Sequence, residues 1–406
     1  MKALRVLIAG AVLQLCLGTV YAFSYFQKPL MAAFGWNNAQ VAWVFSLALF
    51  CLGCSAALAA PLLKRFGPRP LALTGILLYA GSWIAAGVAL QLRSLPLLQA
   101  LFGMAGGIGL GLGYVTPVAT VVGWFPRRKG LAAGIVVMGF GLGALLMSKL
   151  LAPFLMQLSH NALPIVFRDI GLLLLALGIP AALLLARPPV ATSATAAAPV
   201  AHYHSFPSRS FIAVWTLFFC NITAGVVFIA FQSPLFQDFL SQRHPAWSVE
   251  RLAAQGATLI ALSALCNGLG RLIWGRVSDR LGSLVTFRVL LLAQVGIFLL
   301  LMTTAHQLVF AIGVCAVLLC YGGGFGAMPS LIVDLYGPVA TPRAYGLVLT
   351  AWGVAGMLGP AVAAYLRDHA LSHNYLFAFA AAMLLAGFVA SRGLAQPPHL
   401  VPAPEE

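Results

Sequence analysis

The stretch 252-LAAQGATLIALSALCNGLGRLIWG-275 decides the fold class: it is one apolar run carrying a single charge, Arg271. A helix rises about 1.5 Å per residue and the hydrocarbon core of a bilayer is about 30 Å thick, so the run is long enough to cross a membrane. An arginine inside such a segment costs roughly 2.5–3.5 kcal/mol on insertion scales, and it persists mainly where it faces a wet cavity or holds an anion. The stretch therefore predicts a spanning helix and an anion-handling position together.

Outward from it, the whole chain has the same character. Hydrophobic residues make up 61% of the 406, charged residues only 8%, and mean hydropathy is +0.97. Backbone groups in hydrocarbon must be satisfied within the segment, which selects helices. Twelve apolar runs of spanning length follow, at about 5–26, 40–63, 71–90, 97–122, 130–152, 165–186, 211–236, 253–275, 286–304, 309–334, 345–366 and 375–395. The expected architecture is an all-α membrane protein with twelve transmembrane helices.

The formal charge of +15 does not point to nucleic acid, because Lys and Arg follow alternate loops instead of forming a patch. Lys2, Arg5, Lys64, Arg65, Arg69, Arg127, Arg128, Lys129, Arg187, Arg209, Arg276, Arg280, Arg288, Arg343 and Arg392 fall on the side of the N-terminus. Few, such as Arg93, Arg243 and Arg367, fall opposite. By the positive-inside rule both termini are expected in the cytoplasm, with the protein in the cell (inner) membrane. All seven cysteines lie within expected spans, which argues against a disulfide scaffold or a zinc site. Cys51 and Cys54 read as plain buried thiols despite their spacing.

Lys2 and Arg5 before an apolar run imitate a cleaved signal peptide, but an internal repeat argues for retention. Phe26-Gln27-Lys28-Pro29-Leu30 returns as Phe231-Gln232-Ser233-Pro234-Leu235 at the end of the seventh span. Gly113 to Pro117 likewise matches Phe325 to Pro329, and Pro126-Arg127 matches Pro342-Arg343. Duplication of six plus six spans predicts two pseudo-symmetric bundles with a binding site between them. The expected division is 1–186, a cytoplasmic linker over 187–210 rich in Ala, Pro, Ser and Thr, and 211–406.

Spans three, six, nine and twelve are plain apolar sequence and are expected outside. Spans one, four, seven, eight and ten carry polar groups, Pro and closely spaced Gly, such as Gly103, Gly107 and Gly111, and are expected to line the path. Within the eighth, Ser263, Asn267 and Arg271 are spaced by four and make one polar stripe. A guanidinium offers paired N–H donors that match a carboxylate, and an Asn amide can serve a hydroxyl or carbonyl on the same small acid. From spacing alone, Arg271 reads equally as a ligand for cargo or as a brace to the loop through Asp279. Tyr114, Tyr321 and Phe325 fall on path helices and are further candidates, with Tyr21, Tyr25 and Gln14 on the inner face of the first span. Lys28 and Lys149 read as snorkelling residues near the outer surface.

The loop Gly275-Arg276-Val277-Ser278-Asp279-Arg280-Leu281-Gly282, with the span order and half repeat, resembles the signature G-x-x-x-D-R/K-x-G-R/K of the major facilitator superfamily. Ser283 stands where a base is usual, and the first copy, Ala60 to Arg69, lacks the leading Gly and the Asp. Trp124-Phe125-Pro126-Arg127-Arg128-Lys129-Gly130 resembles the fifth-span motif of monocarboxylate transporters. Tyr21 to Phe26 with Pro29-Leu30 resembles the first span of bacterial oxalate:formate antiporters. The resemblance implies the major facilitator fold, Arg271 as the substrate arginine, and Gly275, Asp279, Arg280, Arg127 and Arg128 as gating-loop residues. Asn267 stands where the animal transporters have an acid. The lysine that answers a second carboxylate in the oxalate exchanger has no counterpart in 350-TAWGVAGMLG-359, where Trp352 is expected to limit cavity size.

These features predict a secondary transporter of small monocarboxylates such as lactate or pyruvate, with anion exchange of the oxalate:formate type as the alternative. Proton symport is the expected coupling, because an anion moving against an inside-negative potential costs roughly 2.3 kcal/mol per charge per 100 mV. Asp238, Glu250 and Asp334 lie near span ends, and His160 and His306 in loops, so no proton site stands out. No enzyme motif, metal cluster or cofactor fingerprint is present, and a monomer in the bilayer is expected.

Overall fold

A chain that must satisfy its own backbone has one economical choice, and among the described residues every regular element is a helix, with no strand. The computed structural model describes residues 2–125, 129–187, 209–303, 306–369 and 372–394. Twelve of its helices are long and apolar enough to span a membrane: α1 (Lys2–Tyr25), α2 (Asn38–Ala59), α3 (Pro68–Gln91), α4 (Leu95–Val121), α5 (Gly134–Leu158), α6 (Leu163–Leu184), α7 (Arg209–Arg243), α8 (Val249–Leu281), α9 (Ser283–Thr303), α10 (Gln307–Gly337), α11 (Arg343–Asp368) and α12 (His373–Ser391). Most of the expected linker and both Arg127 and Arg128 lie outside the described residues.

An even number of spans brings the chain back to the end where it began. At this near end the Trp124 indole N–H donates to the Ala186 carbonyl at 2.9 Å, and Arg69 Nε donates to Leu185 O at 2.7 Å. Both copies of the loop signature close there on a left-handed glycine, Gly67 (φ 88°) and Gly282 (φ 86°), where a side chain would be strained. At the opposite, far end, α1 passes through a tight turn, Thr19–Ala22, and continues as the helix Ser24–Phe34. A capping box then starts α2: Asn37 Oδ1 accepts from Gln40 N, and Gln40 Oε1 accepts from Asn37 N.

Helices α1–α6 pack mainly among themselves, as do α7–α12, and the groups meet where α2 crosses α11 and α5 crosses α8. Replacing each helix by its counterpart six places away, α2 by α8 and α11 by α5, turns one pair into the other, which is the mark of a two-fold relation. Both crossings are made through glycine. A Cβ on Gly53 would lie 2.6 Å from Gly353 N, and one on Gly141 would lie 3.1 Å from the Gly268 Cα, so the backbones touch with little between them. α6 and α12 bury the smallest shares of their apolar windows, 44% and 39%, as expected for outer helices, whereas α3 and α9, also expected outside, bury 56% and 50%, no less than the path helices α4 and α8 at 50% each.

Candidate functional site

The eighth span delivers Arg271 to the space between the halves, and its partner α10 is held close by missing side chains. A Cβ on Gly322 would lie 2.0 Å from the Asn267 carbonyl oxygen, and one on Gly326 would lie 2.3 Å from that of Arg271. This close approach puts Tyr321 and Phe325 beside the arginine. Arg271 is 4% exposed, and among the described residues it is the one charged side chain that is fully buried.

Its contacts leave one edge of the guanidinium free. Nη1 donates to Tyr114 Oη at 3.3 Å and to the Val137 carbonyl at 3.2 Å, both from the first half. Nε and Nη2 are buried with no protein partner. Among the described residues no carboxylate lies within ion-pair distance of Arg271, Asp279 included. A buried charge without a counter-ion costs several kcal/mol, and buried N–H groups are normally satisfied. The two orphan donors are the pair that presents a side-on fork to a carboxylate.

Aromatic rings close the surroundings. The guanidinium lies 5.0 Å from the Phe325 centroid and 5.8 Å from that of Phe140. Trp352 contacts Phe325 at 4.8 Å, Tyr114 at 5.2 Å and Phe140 at 6.1 Å, and its indole N–H has no partner. Tyr21 and Tyr321, from opposite halves, share a hydroxyl hydrogen bond of 2.5 Å. Burial among these rings places the fixed cation in low-dielectric surroundings. Gln14 Nε2 donates to the Tyr114 carbonyl at 2.8 Å and pins α4 beside the ring.

Six residues of the sequence-based set come together: Arg271, Asn267, Tyr114, Tyr321, Phe325 and Trp352. Asn267 is wholly buried with neither amide atom partnered, one turn from the guanidinium. Ser263 is turned elsewhere, its hydroxyl donating to Gln232 Oε1 at 2.6 Å. Gly275, Asp279 and Arg280 sit at the near end, the latter two exposed. Ser283, in place of the expected base, donates to Asp334 at 2.5 Å. Lys28 does not simply snorkel: it is ion-paired with Asp238 across the halves at 2.7 Å, because the two meet only in the folded bundle. Lys149 likewise donates to Thr258. The seven cysteines are free; Cys54 is exposed, and only Cys16, Cys220 and Cys320 are fully buried. The sequence did not single out Phe140, a lone ring in an apolar run, and its one signal was the flanking Gly139 and Gly141.

A family model described as Major Facilitator Superfamily matches residues 7–332 and 252–406. Apicoplast pyruvate carrier 1 of Toxoplasma gondii is 30% identical over 351 residues, covering 70% of this chain, and the chain spans only 62% of that carrier's length. The oxalate:formate antiporter of Oxalobacter formigenes is 28% identical, with coverage of 86% of this chain and 81% of that protein. Monocarboxylate transporter 13 of Bos taurus is 26% identical, with coverage of 92% and 84%. Among solved structures, a bacterial homologue of the human lysosomal transporter Spinster superposes with a TM-score of 0.68 at 17% identity, covering 96% of this chain and 97% of that one.

Proposed function

We propose, because this chain belongs to the Major Facilitator Superfamily, that it carries small monocarboxylates such as lactate or pyruvate through a membrane by alternating access. Family and fold make it a transporter and not an enzyme. The observation that carries the reading is the unpartnered Nε and Nη2 edge of Arg271, the side-on fork that fits a carboxylate, buried among aromatic rings. One buried cation answers one negative charge. The unpartnered Asn267 amide, one turn from Arg271 along α8, and the unpartnered Trp352 indole N–H serve the substituent on the acid. Tyr114 holds the opposite edge of the guanidinium from the first half, so Arg271 feels both halves at once.

The loop charges orient the near end to the cytoplasm, and coupling to a proton relieves the cost of moving an anion into an inside-negative compartment. Similarity to the oxalate:formate antiporter favours a second reading, exchange of one carboxylate for another.

Uptake of radiolabelled formate, acetate, lactate, pyruvate and oxalate into proteoliposomes at two external pH values tests both readings. Monocarboxylates are expected to enter saturably, faster at acid outside, and Arg271→Gln is expected to lose at least about tenfold of that uptake, since charged hydrogen bonds contribute roughly 1.5–3 kcal/mol each. Unimpaired uptake by the variant overturns the assignment. Stimulation only by an internal counter-anion replaces symport with exchange.

A further inference from the structure

Far from Arg271, the far end holds a second set of charges that join the halves. Asp238 of α7 accepts from two cations: Lys28 Nζ at 2.7 Å on Oδ1 and Arg367 Nη2 at 2.8 Å on Oδ2. Lys28 belongs to the first half and Arg367, at the end of α11, to the second. Arg367 Nε also reaches Asn38 Oδ1 at 3.4 Å, and Gln27 Nε2 donates to the same oxygen at 3.3 Å. Asp368, the next residue, completes the start of α2 from the other half. Its Oδ1 accepts from Asn38 N at 3.2 Å and Asn38 Nδ2 at 3.1 Å, and its Oδ2 accepts from Ala39 N at 2.9 Å.

The first N–H groups of a helix have no partner within it, and a carboxylate there gains from the helix dipole as well. Asn37 satisfies the third of these donors locally, while Asp368 satisfies the first two across the boundary. Both carboxylates come from the second half, and each is answered by donors of the first. The Asp238 cluster is only partly open to solvent, with side chains 37% exposed at Lys28, 32% at Asp238 and 15% at Arg367, so screening is incomplete. Separating the halves at this end breaks all the cross-boundary bonds at once and strips the cap from α2.

We propose that Asp238 and Asp368 form a two-carboxylate latch that holds the far end shut and sets how often that side opens. The latch is distinct from the Arg271 site and from the signature loop, and it operates whatever the cargo. With it intact, the empty protein rests closed at the far end.

Distance measurements between spin labels at Gln91→Cys and Gln242→Cys, exposed far-end positions of α3 and α7, test this in cargo-free protein whose native cysteines have been replaced. The parent is expected to populate mainly the short distance. Asp238→Asn and Asp368→Asn are each expected to raise the long-distance population at least threefold, and the double change to raise it further. Asp238→Glu, which keeps an acid between Lys28 and Arg367, is expected to retain the parent distribution. The latch is refuted if the parent already favours the long distance, if both neutral variants match the parent, or if Asp238→Glu is as open as Asp238→Asn. Because no cargo is present, failure here is separate from failure of the carboxylate reading, which the uptake assay decides.

Discussion

Arg271 is a cation held by its own protein on one edge only. Nη1 is spent on Tyr114 and Val137, and the remaining fork has no hydrogen-bond partner. A lysine there retains the charge but loses the planar pair of donors. Arg271→Lys is therefore expected to raise the KM for a monocarboxylate by about tenfold or more, a loss on the order of one charged hydrogen bond, while the protein reaches the membrane in normal amount. An unchanged KM in the uptake assay sinks the forked-donor account. The residue was legible in the sequence because a charge in a spanning run is rare, and Asn267 because it shares the helical face. Phe140 was not, because an aromatic in an apolar helix carries no mark of which neighbour it meets. Nor was the Tyr21 to Tyr321 contact, since its partners are 300 residues apart.

At the scale of the element, the position of Arg271 depends on α10 as much as on α8. Gly322 and Gly326 let the two backbones touch, and Gly326 lies against the Arg271 carbonyl itself. Gly326→Ala is expected to push α8 outward by a few tenths of an ångström or more and to cut uptake severalfold, with destabilisation of about 1–3 kcal/mol from overpacking. Gly296→Ala in α9, where an added Cβ meets nothing within 4 Å, is the matched control and is expected to be silent in both uptake and thermal unfolding. Equal behaviour of the two variants in those assays removes the packing argument. Span positions were readable from length and hydropathy alone. Their ends were less so: α1 runs on into Ser24–Phe34, and α8 begins at Val249 and ends at Leu281, because polar first and last turns look like loop until capping is seen.

On the scale of the molecule, the repeat in the sequence foretold two equal bundles but not which spans would meet; α2 pairs with α11 and α5 with α8, as halves related by a two-fold must meet in equivalent pairs. The charges at the far end were visible one by one, yet Lys28 and Asp238 read as separate surface residues because they lie far apart in the chain and only the folded bundle brings them to 2.7 Å. A further consequence follows from Arg271 having no internal counter-ion. Whenever the empty halves rock, one uncompensated positive charge shifts within the electric field of the membrane. An anion alone cancels it on the loaded leg, so each turnover leaves a net current. An anion accompanied by a proton restores the same +1, and the two legs balance. Solid-supported-membrane recordings are therefore expected to show a capacitive transient in the empty protein, absent from Arg271→Gln, and no sustained current during lactate uptake; a steady current would mean that the proton does not ride with the acid.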